Sequence, residues 1–157
     1  RDRSPSRGLG DVYKRQVNAV NSLISEFSER GDDVIYVGQV FPNIITNKWF
    51  IGFSIKGTSG AEIYPDVDIV SDNYFEKNLP NSFTSRSFKS FVTTKEYSEI
   101  TVCGLDLCGC VGATAKGAIK TGMAVKLSEA ATGCRFGKEK ANRMKKDLIS
   151  LGVKIIK

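Results

Sequence analysis

From Ser85 to Lys157 the sequence switches repeatedly between a helical period and short continuous apolar runs. No other feature constrains the fold as strongly. Ser85 to about Val92 predicts a helix with Phe88, Phe91 and Val92 on one face. Glu99 to Gly104 then reads as a strand. A helix of small residues follows from about Cys110 to Lys120, with Val111, Ala115, Ala118 and Ile119 aligned. Met123 to Leu127 predicts a further strand. Lys138 to Leu151 predicts a helix striped by Ala141, Met144, Leu148 and Leu151, with Gly152 as its cap. Val153 to Ile156 is the last strand.

The first half repeats the alternation more loosely. Val17, Val20, Leu23, Ile24 and Phe27 recur at three and four, an amphipathic helix that Gly31 ends. Asp33 to Gly38 and Val67 to Val70 read as strands, residues 42–66 as irregular with a short strand near Trp49 to Phe53. Strands alternating with helices predict an α/β protein with a mainly parallel sheet. In such sheets ligands sit beyond the carboxyl ends of the strands. The 38–46 loop, the 72–83 loop and the 104–110 turn belong there.

Composition narrows the function. The 157 residues suit one domain, and no apolar run approaches the ~18 residues of a membrane span. The start has no signal-peptide pattern, and four cysteines are too few for a disulfide scaffold. A cytoplasmic, reducing setting is the expectation. There is no histidine, which excludes Ser-His-Asp and Cys-His catalysis and metal sites built on imidazole.

The net charge of +6 points towards nucleic acid only until its source is located. Residues 1–16, RDRSPSRGLGDVYKRQ, lack any hydrophobic period. Asp11 to Gln16 is the translation of gat gtg tat aag aga cag, the mosaic end of a sequencing-library adapter, and the preceding residues fit the rest of that adapter in frame. The alternative is a genuine disordered basic tail. On the adapter reading, residues 1–16 stand outside the fold and the native sequence resumes mid-gene at Val17. A metagenomic source is then expected, with a segment missing upstream. Residues 17–157 carry 18 basic and 15 acidic groups, an ordinary balance, so no nucleic-acid partner is expected.

The turn from Gly104 to Ala115 (GLDLCGCVGATA) is the richest place for chemistry. A cysteine at a strand-to-helix turn faces helix N–H groups that favour thiolate and can bind an oxyanion. Cys110 is the candidate nucleophile, the plain alternative being a buried core cysteine. Lys77, just past a strand end in Glu76 to Phe83, is the candidate cation beside it, the alternative being a solvated loop lysine. Cys103, Cys108, Cys110 and Cys134 could in principle hold zinc, but their spacing is not that of a ribbon or finger. Gly57 to Gly60 lacks the lysine of a phosphate loop. A Cys108–Cys110 redox pair would close a strained ring.

Val102 to Ala118, with Lys56 to Ile63, Glu76-Lys77 and Asn81 to Phe83, resembles the isochorismatase-like cysteine hydrolases across residues 17–157. The resemblance implies a Rossmann-like three-layer sandwich with strand order 3-2-1-4-5-6, whose central first strand is missing from this fragment. It implies an Asp-Lys-Cys triad with Cys110 as nucleophile, Lys77 beside it, and the aspartate on the missing strand. Backbone N–H groups of Asp106 and Cys110 would form the oxyanion hole, with a cis peptide at Leu105–Asp106. The family's nicotinamidase branch uses an Asp-His-His metal site, which a chain without histidine does not supply. The expectation is therefore a metal-independent hydrolase without cofactor, cleaving a small-molecule amide or carbamoyl C–N bond through a thioester, and oligomeric when full length. The alternative is an inactive binding protein of the same fold. Gln39, Phe41, Asn43, Trp49 and Phe83 are the expected substrate contacts, by placement alone.

Overall fold

The computed structural model describes residues 5–39 and 66–157. The predicted strand near Trp49, the Lys56 to Ile63 motif, and Phe41, Asn43 and Trp49 lie outside the described residues. The first helix, α1 (Pro5–Glu29), buries Val17 and Ile24 as the stripe predicts. It is longer than the stripe: Pro5 to Gln16, expected to stand outside the fold, forms its N-terminal half. Extending an existing helix costs far less than starting one. Gln16 Nε2 also donates to the Gly104 carbonyl at 3.4 Å, where α1 packs over the sheet.

Every described strand pairing is parallel, as the alternation requires. Strand β1 (Tyr36–Gln39) pairs with β2 (Tyr74–Lys77), placing Gln39 opposite Lys77. Strands β3 (Glu99–Leu105), β4 (Ala124–Gly133) and β5 (Lys154–Ile156) form a second sheet in that order. The predicted strand at Val67 to Val70 is corrected. That segment is not in a ladder, and Ile69 and Val70 are 59% and 47% exposed. Strand character comes from a partner more than from β-branched residues, and the partner of β1 is Tyr74 to Lys77. The 67–70 segment is instead tied to the Tyr36 hydroxyl, which donates to the Asp68 carbonyl at 2.6 Å and accepts from Val70 N–H at 3.0 Å.

The remaining helices follow the sequence signals closely. Helix α2 (Arg86–Lys95) starts at Ser85, whose hydroxyl accepts from Phe88 N–H. Helix α3 (Gly112–Lys120) carries the small residues, and α4 (Lys138–Leu151) ends at Gly152 with φ 105°, a conformation glycine adopts without cost. Val102, Val125 and Leu127 from the second sheet meet Val111, Ala115 and Ala118 from the turn and α3, and Leu148 from α4. This is the core that holds the Cys110 turn against β3. Small residues on α3 are a condition of that packing. A methyl at Gly112 would run into the Leu107 carbonyl and, at 3.0 Å, the Met144 sulfur.

Among the described residues, no strand pairs with the free edge of β1 or of β3. Between those edges lies a cavity of about 630 Å³, walled by Ile35 and Val37 on one side and by Glu99 to Cys103 on the other. Phe27 of α1 and Phe88 of α2 also line it. A slot bounded by two parallel edges is where a central strand of the order 3-2-1-4-5-6 would lie.

Candidate active site

Lys77 ends β2, and the Cys110 turn follows β3, so the two residues reach the carboxyl ends of different strands. They meet there. Both line the cavity, and the Lys77 ammonium donates a hydrogen bond to the Cys110 sulfur. Lys77 is only 5% exposed. Burial holds its ammonium below the ordinary 10.5, and the neighbouring Cys110 works in the opposite direction.

Local backbone geometry presents the cysteine. The Leu105–Asp106 peptide is cis, as the resemblance implies. Residues Leu107–Val111 then form one wide helical turn, broken at Gly109, whose φ and ψ of −126° and −112° are not helical. The Asp106 carbonyl accepts from both Gly109 N–H and Val111 N–H at 3.0 Å, which fixes the turn at both ends of Cys110.

A pair of hydroxyls joins the lysine loop to the cysteine helix. Thr114 Oγ1 accepts from Ser82 N–H at 3.0 Å and lies 2.9 Å from Ser82 Oγ, with both residues buried. Thr114→Val keeps the shape and leaves Ser82 N–H and its hydroxyl unpaired. We expect a loss of about 1–3 kcal/mol in urea unfolding; a change within 0.3 kcal/mol, roughly the resolution of such comparisons, would show that the pair holds nothing.

The other thiols differ from Cys110. Cys103 presents surface to the cavity yet is hemmed in by protein, and that burial pushes its thiol up to about 11. Burial, followed by a hydrogen bond with Cys134, pushes Cys108 up to about 11 as well. Cys108 and Cys134 sulfurs lie 3.3 Å apart, so the partner of Cys108 is not Cys110.

Of the expected substrate contacts, Gln39 stands in β1 in register with Lys77. Phe83 is not among the cavity residues. Its ring packs edge-on to Phe88 at 5.0 Å and against the core, and α3 approaches it closely enough that a methyl at Gly117 would lie 2.9 Å from its ring. Sequence reasoning missed Thr114 and the Cys108–Cys134 contact. The first carried a signal, a hydroxyl one turn after Cys110, whereas the second joins residues 26 positions apart with no local pattern.

The isochorismatase domain family matches residues 9–154 of this chain. The Uncharacterized isochorismatase family protein YddQ of Bacillus subtilis (strain 168) is 26% identical over 122 residues. That match takes in 77% of this chain, but the chain spans only 64% of that relative's length. Among solved structures, the pyrazinamidase of Pyrococcus horikoshii in complex with zinc superposes with a TM-score of 0.80 at 23% identity, over 92% of this chain and 86% of the other. The N-carbamoylsarcosine amidase from Thermoplasma acidophilum gives 0.75 at 19% identity, over 92% and 83%. At such identities the likeness is one of fold. No helix among the described residues is long and apolar enough to cross a membrane. The family match covers nearly the whole chain and the fold agrees with it, and on that basis the chain belongs to the isochorismatase family.

Proposed function

We propose that the protein is a cysteine hydrolase acting on an amide or carbamoyl C–N bond of a small molecule. The observation that carries this reading is the hydrogen-bonded pair of Lys77 and Cys110 at the wall of a cavity. The Cys110 sulfur attacks the substrate carbonyl, and Lys77 stabilises negative charge on that sulfur by direct Coulomb attraction. The oxyanion of the tetrahedral intermediate is received by the backbone N–H groups of Asp106 and Cys110. The leaving amine takes a proton, a thioester remains on Cys110, and water releases the acid. The family resemblance assigns the proton carrier to an aspartate on a strand that would lie in the slot between β1 and β3. No step needs a metal or an organic cofactor.

Alkylation with iodoacetamide tests the assignment in the protein extended to include that strand. At pH 8 a thiol held at about 11 is only about one-thousandth thiolate, so Cys103 and Cys108 should label slowly. Cys110 should label first, and Lys77→Ala should slow it. Uniform slow labelling of all four cysteines would favour the non-catalytic binding protein instead.

The pH–rate profile gives a second check. Because Lys77 sits below its ordinary 10.5, its ammonium is lost as pH rises through that lowered value. Hydrolysis should therefore decline on the alkaline side before pH 10.5. Lys77→Arg, whose guanidinium stays charged, should move that decline upward. An alkaline limb indifferent to Lys77→Arg would remove the lysine from the mechanism.

A further inference from the structure

We propose that Asp106, Cys108 and Cys134 form a binding site for a thiophilic divalent cation, zinc being the natural candidate. The three side chains bring one carboxylate oxygen and two sulfurs within 4.8 Å of one another. None of the three side chains lines the cavity that holds Lys77 and Cys110, so they form a cluster of their own, although the Asp106 backbone N–H also belongs to the proposed oxyanion hole. Its test reads metal binding rather than hydrolysis, so the failure of one reading does not decide the other.

Asp106 supplies the second observation. It is 3% exposed, and its Oδ2 is buried with no hydrogen-bond partner among the described residues. Its Oδ1 accepts from Arg135 N–H at 2.9 Å, which anchors the carboxylate beside Cys134. A buried carboxylate oxygen left without a partner is costly, and a cation relieves that cost directly.

The sulfur spacing separates a shared metal from a disulfide. With Zn–S near 2.3 Å, two sulfurs on one tetrahedral zinc lie about 3.8 Å apart. A disulfide would need about 2.05 Å. The observed 3.3 Å is nearer the first and opens to it by about 0.5 Å. On binding, the two thiols give up their protons to solvent and three anionic donors surround the ion. Lys140, whose ammonium acts on Cys108, offsets the excess negative charge. Three protein donors leave the fourth tetrahedral position for water. The ion would clamp the end of β4 to the turn that carries Cys110. The sequence offered four cysteines as candidates; the geometry selects two of them and adds an aspartate.

The test uses the extended protein, reduced and freed of metal under anaerobic conditions, then titrated with Co²⁺. One Co²⁺ per chain with a thiolate-to-cobalt charge-transfer band is the expected result, and Zn²⁺ should displace it. Cys108→Ser and Cys134→Ser should each remove the tight site. Asp106→Asn should weaken it by more than the about 10–100-fold that outer-shell partners cost. Cys110→Ser and Cys103→Ser should leave the band in place. Each variant's melt is recorded first, and a serine variant that fails to fold is replaced by the alanine one. No band, or a band that disappears with Cys110 or Cys103, overturns the assignment. So does a Cys108–Cys134 disulfide that re-forms in preference to metal binding when both are offered.

Discussion

Replacing Cys110 with alanine should lower kcat for C–N hydrolysis by about 10⁴-fold or more, the scale on which removal of a nucleophile acts. The protein to use is the one extended through the upstream strand, with a panel of small amides and carbamoyl compounds as substrates. The effect should be large because the alanine enzyme retains the cavity and the backbone donors yet has nothing to form a thioester. It should also fall on kcat rather than on KM. Quenched reactions of the parent protein should yield a mass adduct on the peptide containing Cys110, and Cys110→Ala should yield none. An alanine variant within tenfold of the parent, melting normally, would mean that water attacks directly and that Cys110 only lines the cavity.

The second large effect concerns folding. The 157-residue chain alone should aggregate on expression, and the same chain extended by a parallel strand for the β1–β3 slot should give a cooperative melt. The reason is arithmetic. A buried N–H or C=O without a partner costs about 1–3 kcal/mol, while a whole domain is stable by about 5–15 kcal/mol. A handful of orphaned groups along Tyr36–Gln39 and Glu99–Leu105 therefore suffices to cancel the net stability. Open parallel edges that stay unpaired also invite pairing with another chain. A soluble monomer of the 157-residue chain with a single sharp transition would contradict this, and would mean that the slot is closed in some other way.

Much of this architecture was legible where sequence period and end signals agree. Helix α4 begins at Lys138 and ends at Leu151 as its stripe and Gly152 require. Strand β3 was likewise evident from its β-branched Ile100, Thr101 and Val102. Strand β4 was read only to Leu127, yet it runs to Gly133. Residues 128–133 are small or polar and carry no strand signal. They are strand because Gly104 and Leu105 pair with Thr132 and Gly133 across a register shift. Val67 to Val70 fails in the opposite sense, with strong β propensity and no partner. Pairing is a long-range fact, and a local pattern does not contain it.

The candidate site divides the same way. The sequence around Cys110 and Lys77 made them candidates but left a core cysteine and a solvated lysine open, and the family resemblance decided for a site. Phe83 was placed by proximity to Lys77, but its ring serves the core. The buried Ser82–Thr114 contact needed coordinates, since hydroxyls are common and only their meeting makes them informative.

Lys77 belongs to the β1–β2 sheet and Cys110 follows the β3–β4–β5 sheet, so the reactive pair straddles the seam between two half-sheets. Catalysis on this plan is a readout of closure. On the proposed mechanism, a parting of the halves would separate the Lys77 ammonium from the Cys110 sulfur while each half keeps its own hydrogen-bonded ladder. On that mechanism activity should be lost before structure on heating, and whatever grips both edges of the slot should set the temperature of that loss.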